Sequence, residues 1–377
     1  MINIADKKKL TLGVILEAIN VTEEKDKSAA PLNYIDRLRN ATETNGNIAC
    51  LGIDPQLESI PDHEKNAGRT VVVYFDNLFA AFIRKKLSFP AFKINYGFFQ
   101  KLNRAPWEYE GDKACFDVIK MIHDAYPDAI VIFDHKGGDI EHSSANYAAF
   151  DFSWDVDAAV VHFDMGDESV IPYAEYTKTG KGVYVLNKTT NSGARKIQNL
   201  PVLKNPQKFY GDLYFKLKDV MDIIDPNKPI GPDNPVPNAY DISEIVRREL
   251  EDGHLQELFE VVSEDVVGWA RQYSRVGGVF GGNLEGRELE RGARIYTQSG
   301  LSIPLLIPGV GKQGGNVPDV LDQLDAVRYE KGLALINSSR AIIAPWGPRE
   351  KAPEDWSDVS AKALEKFIEE ARYKRVV

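Results

Sequence analysis

Cysteine is almost absent from this chain. Among 377 residues there are two, Cys50 and Cys115. Cys50 lies in an apolar run and Cys115 in a helical pattern, so both read as buried thiols and no disulfide framework is implied. Long apolar runs are missing as well. No stretch approaches the roughly 20 residues that a membrane-spanning helix needs. Nor is there an excess of basic charge. Lys and Arg number 46 against 56 Asp and Glu, a net charge of −10, and no stripe gathers the cations. That argues against nucleic acid as the main partner. An anionic ligand would need locally placed Lys or Arg working against the overall field. Internal repeats and low-complexity tracts are also lacking. Lys7 to Lys9 followed by Leu10 to Ile19 faintly resembles a signal peptide, but the apolar part is short and carries Glu17. No small-residue cleavage site follows it. The expectation is a cytoplasmic chain without membrane partners, in which residues 1–30 form an N-terminal extension.

What is present centres on Ala129 to Ile140, AIVIFDHKGGDI. An unbroken apolar run entering charged residues is the pattern of a strand buried on both faces. Charges at the carboxyl end of such a strand stand where parallel sheets and barrels keep their chemistry. Asp134 and Lys136 are two apart and are expected on one side of the strand. Gly137 and Gly138 allow a sharp turn that brings Asp139 back. The competing reading is a strand followed by a charged surface turn.

Along the chain, eight short apolar runs alternate with helical patterns. The expected strands are 47–54, 89–95, 129–133, 157–163, 182–187, 276–281, 303–307 and 333–337. Helices are expected over 34–42, 70–86, 106–126, 143–150, 169–177, 210–224, 255–273 and 361–373. Phe75, Phe79 and Phe82 recur at helical spacing and read as core. The segment 225–238, DPNKPIGPDNPVPN, is too rich in Pro for helix or central strand. The count and alternation predict an α/β fold, a (β/α)8 barrel over residues 31–377, with an insertion at about 203–252 between strands 5 and 6. An open doubly wound sheet is the alternative, but it would want a glycine-rich turn after the first strand, and LGIDPQ is not one.

In a barrel the strand ends converge on one mouth. They would bring together Asp54, Lys93, Asp134, Lys136, Thr190, Asn191, Gln313 and Arg340. A lone lysine inside FPAFKIN needs a carboxylate, because a barrel interior rarely accepts an unpaired ammonium. Asp134 on the adjacent strand is the natural one. An alternating Lys93, Asp134, Lys136, Asp139 array would satisfy every charge, though a purely structural ion network has the same composition. The turn PGVGKQGG after the seventh strand, which includes Gly314, and Ser339-Arg340 after the eighth occupy the common barrel phosphate site. Backbone N–H groups can cradle an anion there, and Arg340 can grip it with two donors.

Taken together, these residues resemble the orotidine 5′-phosphate decarboxylase family, in its longer, bacterial-type branch. The matching pieces are YIDRL (34–38), LGIDP (51–55), FKIN, DHKGGDI, NKTTNSGA (187–194), IPGVGKQGG and INSSRAI (336–342), in the family's order. The resemblance implies conversion of orotidine 5′-phosphate to UMP and carbon dioxide, with no metal or organic cofactor. It implies that Lys136 protonates C6 of the pyrimidine, that Asp134 lies beside the substrate carboxylate, and that Lys93 bonds Asp134 and the ribose. Asp54 would hold a ribose hydroxyl, and Gln313 and Arg340 the phosphate. Asp139 would enter the partner subunit's site in a homodimer. Ser143, or its neighbour Ser144, stands where the family places a hydroxyl that crosses the dimer. Thr190 replaces the usual Ser against the pyrimidine, which adds a methyl there. Ser192 replaces a Pro, and Glu141-His142 replace small residues.

Other readings share parts of this pattern. A magnesium-dependent sugar-phosphate aldolase or decarboxylase shares DxKxxD but, by resemblance, lacks a lysine at the position of Lys93. A non-catalytic phosphate-binding barrel would have lost Lys93 or Lys136. His135, His142, Asp134 and Asp139 could suggest a metal site, but Lys136 in their midst disfavours a cation. His162 reads as a hydrogen-bonded barrel histidine rather than a base.

Overall fold

Eight runs rich in β-branched and aromatic residues become eight parallel strands. They are β1 (Ala49–Ile53), β2 (Ala91–Ile94), β3 (Ile130–Gly137), β4 (Ala158–Val161), β5 (Gly182–Lys188), β6 (Val276–Phe280), β7 (Leu305–Ile307) and β8 (Ala334–Ser338). Each pairs with the next, and β8 pairs with β1, so the sheet closes. The computed structural model describes residues 33–104, 108–222, 227–228, 231, 239–250, 253, 255–284, 286–311, 314–347 and 350–373. The N-terminal extension, Pro106, Gln313 and most of the Pro-rich segment 225–238 lie outside the described residues.

Strand composition follows from the environment. Every residue of β1, β2, β4 and β6 is buried, as the barrel interior covers one face and the helices the other. The first helices show how the sequence sets their limits. In α1 (Tyr34–Asn45), the Asn33 side chain accepts from the Asp36 N–H, and Gly46 ends the helix at φ 62°. In α2 (Ala67–Arg84), Asn66 accepts from the Arg69 N–H, and Phe75, Phe79 and Phe82 face the core fully buried. Further helices of the barrel are α3 (Glu110–Ala125), α4 (Glu141–Phe152), α5 (Asp167–Ala174), α6 (Glu288–Gln298), α7 (Val317–Ala326), α8 (Arg340–Ile343) and α9 (Trp356–Glu370). Cys50 and Cys115 are buried free thiols.

Two departures from the sequence reading have physical causes. The helix α6 went unpredicted because its segment is polar and contains Gly292. That glycine is required, since a Cβ there would meet the Phe280 ring at 2.1 Å. The helix expected from Leu255 begins at Leu258 instead. Leu255–Glu257 is a short strand, paired antiparallel with Pro201–Leu203. This pairing belongs to a separate compact unit, Asn191–Glu264, which falls between β5 and β6 in chain order. That unit also holds the helices Pro206–Asp222 and Ala239–Glu249. The barrel comprises the other unit, residues up to Thr190 and from Asp265 onward.

Candidate active site

Because all eight strands are parallel, their carboxyl ends share one rim. Lys93 lies level with Gly52 on β1 and Ile132 on β3. A step of two residues along β3 returns to the same face and reaches Asp134. The Lys93 Nζ donates to Asp134 Oδ2 at 2.5 Å, and the Lys136 Nζ donates to Asp134 Oδ1 at 2.5 Å. One carboxylate therefore bridges two ammonium groups. Lys93 and Asp134 are buried, while the Lys136 side chain is 40% exposed. Burial alone would raise the Asp134 carboxyl, but the charges of Lys93 and Lys136 outweigh it and hold it at about 2. Burial would lower the Lys93 ammonium, and the charges of Asp134 and Asp54 outweigh that and raise it. The chain of three carries one net positive charge.

The end of β3 is not a regular strand. Its register with β4 shifts between Phe133 and Gly137, and Lys136 takes φ 58°. A left-handed lysine is sparsely populated and marks stored backbone strain. Simple alternation therefore does not bring Lys136 onto Asp134; the irregular end of the strand does. Gly138 follows at φ 144°, where a Cβ would meet His162 at 2.9 Å. Asp139 is bound within its own turn. Its Oδ1 accepts from the Ile140 N–H at 2.7 Å, and its own N–H donates to Ser144 Oγ at 2.8 Å. Ser144 is fully buried and donates back to the Asp139 carbonyl. Its hydroxyl thus serves the turn. Ser143 is half-buried on the first turn of α4. Beside this turn Ile140 is exposed.

On the opposite side of the rim, β7 leads into a turn built by glycines. Gly309, Gly311 and Gly314 have φ of 94°, 91° and 94°. The Gly311 N–H donates to the Gly315 carbonyl at 2.9 Å, and the Gly314 N–H to the Gly311 carbonyl at 2.9 Å. A Cβ on Gly315 would lie 2.5 Å from the Gly282 carbonyl oxygen. The turn after β6 is thus part of this site, a contribution the sequence reading did not include. Ser339 joins β8 to the short helix α8. Its Oγ fills the place of a Cβ on Gly52, at 1.8 Å, so β1 must carry glycine there. Arg340, Asp54, Gln56 and Tyr74 line one recess. Asp54 Oδ1 is buried with no hydrogen-bond partner among the described residues.

Thr190 and Asn191 follow β5, and both sit at the end of a strand that runs one residue further than expected. Lys188 ends β5 inside rather than opening a polar turn: it is 1% exposed, with its Nζ 3.6 Å from Glu288. The added methyl of Thr190 rests over Gly281, where a Cβ would lie 2.5 Å from it. Asn191 precedes the turn Ser192–Ala194 at the start of the second unit. His162 is partly exposed, 3.5 Å from Asp164. Among the described residues no group of three His, Cys, Asp or Glu could hold a metal ion, and no helix is long and apolar enough to cross a membrane.

A closed parallel barrel with a lysine–aspartate–lysine chain on one side of its rim and a glycine-built turn with an arginine on the other is the arrangement of a barrel enzyme for a small anionic substrate. The sequence profile of the orotidine 5′-phosphate decarboxylase / HUMPS family matches residues 50–224 of the chain. Orotidine 5′-phosphate decarboxylase of Petrotoga mobilis is 27% identical over 348 residues, covering 91% of this chain and 99% of that protein. The enzyme of the same name from Cupriavidus metallidurans is 27% identical over 322 residues, covering 85% and 92%. Among solved structures, Leishmania donovani OMP decarboxylase superposes with a TM-score of 0.56 at 21% identity, over 91% of this chain and 100% of that one. Plasmodium berghei orotidine 5′-monophosphate decarboxylase gives 0.54 at 16%, over 89% and 98%. At these identities the structures speak for the fold alone.

Proposed function

We propose that the protein decarboxylates orotidine 5′-phosphate to UMP, the last step of UMP synthesis, and that the Lys93–Asp134–Lys136 chain does the chemistry. The observation that carries this reading is Asp134, one desolvated carboxylate held between two lysines at 2.5 Å each. In the bond-breaking step the C6–carboxylate bond cleaves and carbon dioxide departs. The electron pair stays on C6 and takes a proton from the Lys136 ammonium, which solvent later restores. The same cation stabilises the developing carbanion before the transfer. Asp134 keeps Lys136 charged and aimed, and Lys93 keeps Asp134 ionised. Asp54 holds a ribose hydroxyl. Gly314, Ser339, Arg340 and Gln313 hold the phosphate, and Thr190 with Asn191 meets the base. Phosphate binding far from C6 contributes to the transition state through closure around the ligand.

Asp139 serves the partner subunit's site in a homodimer, reached across the dimer with Ser143. Supporting this are the hydrogen bond that its carboxylate accepts within its own turn and the exposed Ile140 beside it. The deciding assay is loss of orotate absorbance with purified protein and no added metal. Turnover is expected, and it should survive EDTA. Lys136→Ala should lower kcat by at least about a thousandfold with the fold intact by circular dichroism, as loss of a proton donor and charge stabiliser together requires. No turnover, or turnover abolished by EDTA, overturns the reading.

A further inference from the structure

His135 stands between Asp134 and Lys136 but takes no part in their charge chain. Its Nδ1 donates to Asp151 Oδ1 at 2.7 Å, and its ring packs edge-on against Tyr96 and Tyr147. Asp151, on α4, is fully buried. Its second oxygen accepts from the Tyr173 hydroxyl at 2.9 Å. Tyr173, on α5, is also fully buried, and its hydroxyl lies 2.0 Å from where a Gly137 Cβ would be. One network therefore holds residue 135 by a hydrogen bond and presses on residue 137 by contact. Between those two points lies Lys136 at φ 58°.

We propose that His135, Asp151 and Tyr173 form a lock that holds the left-handed backbone of Lys136, making them positioning residues for the proton donor. The inference rests on the functional reading given above for Lys136. A non-glycine residue in that conformation persists only where its surroundings over-determine it. Helices α4 and α5 supply that constraint through one carboxylate. Burial raises the Asp151 carboxyl and the two donors oppose it, the signature of a buried acceptor with fixed partners. Apolar packing could fill the same volume but would not set a direction for the strand end.

The test measures kcat, KM and amide hydrogen exchange over residues 134–138 in four proteins: wild type, His135→Leu, His135→Asn and Tyr173→Phe. His135→Leu should lower kcat by about 10- to 100-fold, the usual consequence of misplacing a catalytic group by an ångström, with KM within about threefold. His135→Asn places an N–H where Nδ1–H was and should recover most of the loss. Tyr173→Phe removes one hydroxyl and should show the same kcat-only signature, more weakly. Exchange over 134–138 should accelerate in the Leu and Phe variants. Wild-type kcat and exchange in both overturns the lock. So does an Asn variant no better than Leu, which assigns the loss to packing. If His135→Leu does not fold, Tyr173→Phe decides by the same two measurements. A wild type without turnover overturns the functional reading instead, and the exchange data still judge the lock.

Discussion

Asp134 decides more than any other residue here, because both lysines depend on it. Its carboxyl is held low in the folded protein, at about 2. A depressed folded value means that its contribution is complete above the unfolded value, near 3.9, and is lost as pH falls through the folded one; the difference is worth about 2 to 3 kcal/mol. Asp134→Asn should therefore cost stability at neutral pH, and the gap from wild type in urea midpoints should close as pH falls from about 5 toward about 2. The single change leaves Lys93 charged and buried, which should bring the cost to about 3–5 kcal/mol. Combining it with Lys93→Met should recover most of that stability while activity stays lost. A double variant as unstable as Asp134→Asn would contradict the pairing. Thr190 offers a second residue-scale test. Its methyl lies over Gly281. Gly281→Ala should turn the Thr190 hydroxyl away and raise KM, and adding Thr190→Ser should reverse the rise. Lys93, Asp134 and Lys136 were legible in sequence because charge inside an apolar run demands an explanation. His135 was not, since nothing in DHKGGDI says that its partner is Asp151, and the helix was expected to end at Phe150. Lys188 lies beyond the strand expected over 182–187 because a lysine after GVYVLN reads as a strand end until Glu288 is seen opposite it.

At the scale of elements, the sequence reading located all eight barrel strands to within a few residues, since burial on both faces leaves unbroken apolar runs. Helices fared unevenly. Those with clean apolar periodicity, such as α2, were plain. Gly292 concealed α6, and the reason lies across space in Phe280. Short strands such as Leu255–Glu257 exist only through their partner, which no local pattern reveals. The turn after β7 is the element most open to a direct test. Gly314 sits at φ 94°, where a Cβ strains the backbone although no atom stands in its way. Gly314→Ala should cost about 1 kcal/mol of stability. It should also raise KM for the nucleotide through a distorted phosphate cradle. An unchanged KM would remove this turn from the binding site.

For the whole molecule, the proposed homodimer makes a prediction about shared sites. If Asp139 serves the partner, Lys136→Ala and Asp139→Asn homodimers are both inactive, and mixing them under exchange conditions builds hybrids with one intact site. Recovery of about a quarter of wild-type activity is then expected from random pairing of two chains. No recovery would place Asp139 in its own chain's site. Closure of the barrel has a temporal consequence as well. The pair β1 and β8 joins Ala49 to Ile336, so the first strand made waits for the last. Contacts so distant in sequence form late and slowly. The recess shared by Asp54 and Arg340 lies on that seam. Under the roles proposed above, the nascent chain would hold Lys136 before it holds Arg340, and a phosphate bound across the seam would act as the clasp that keeps first and last strands together.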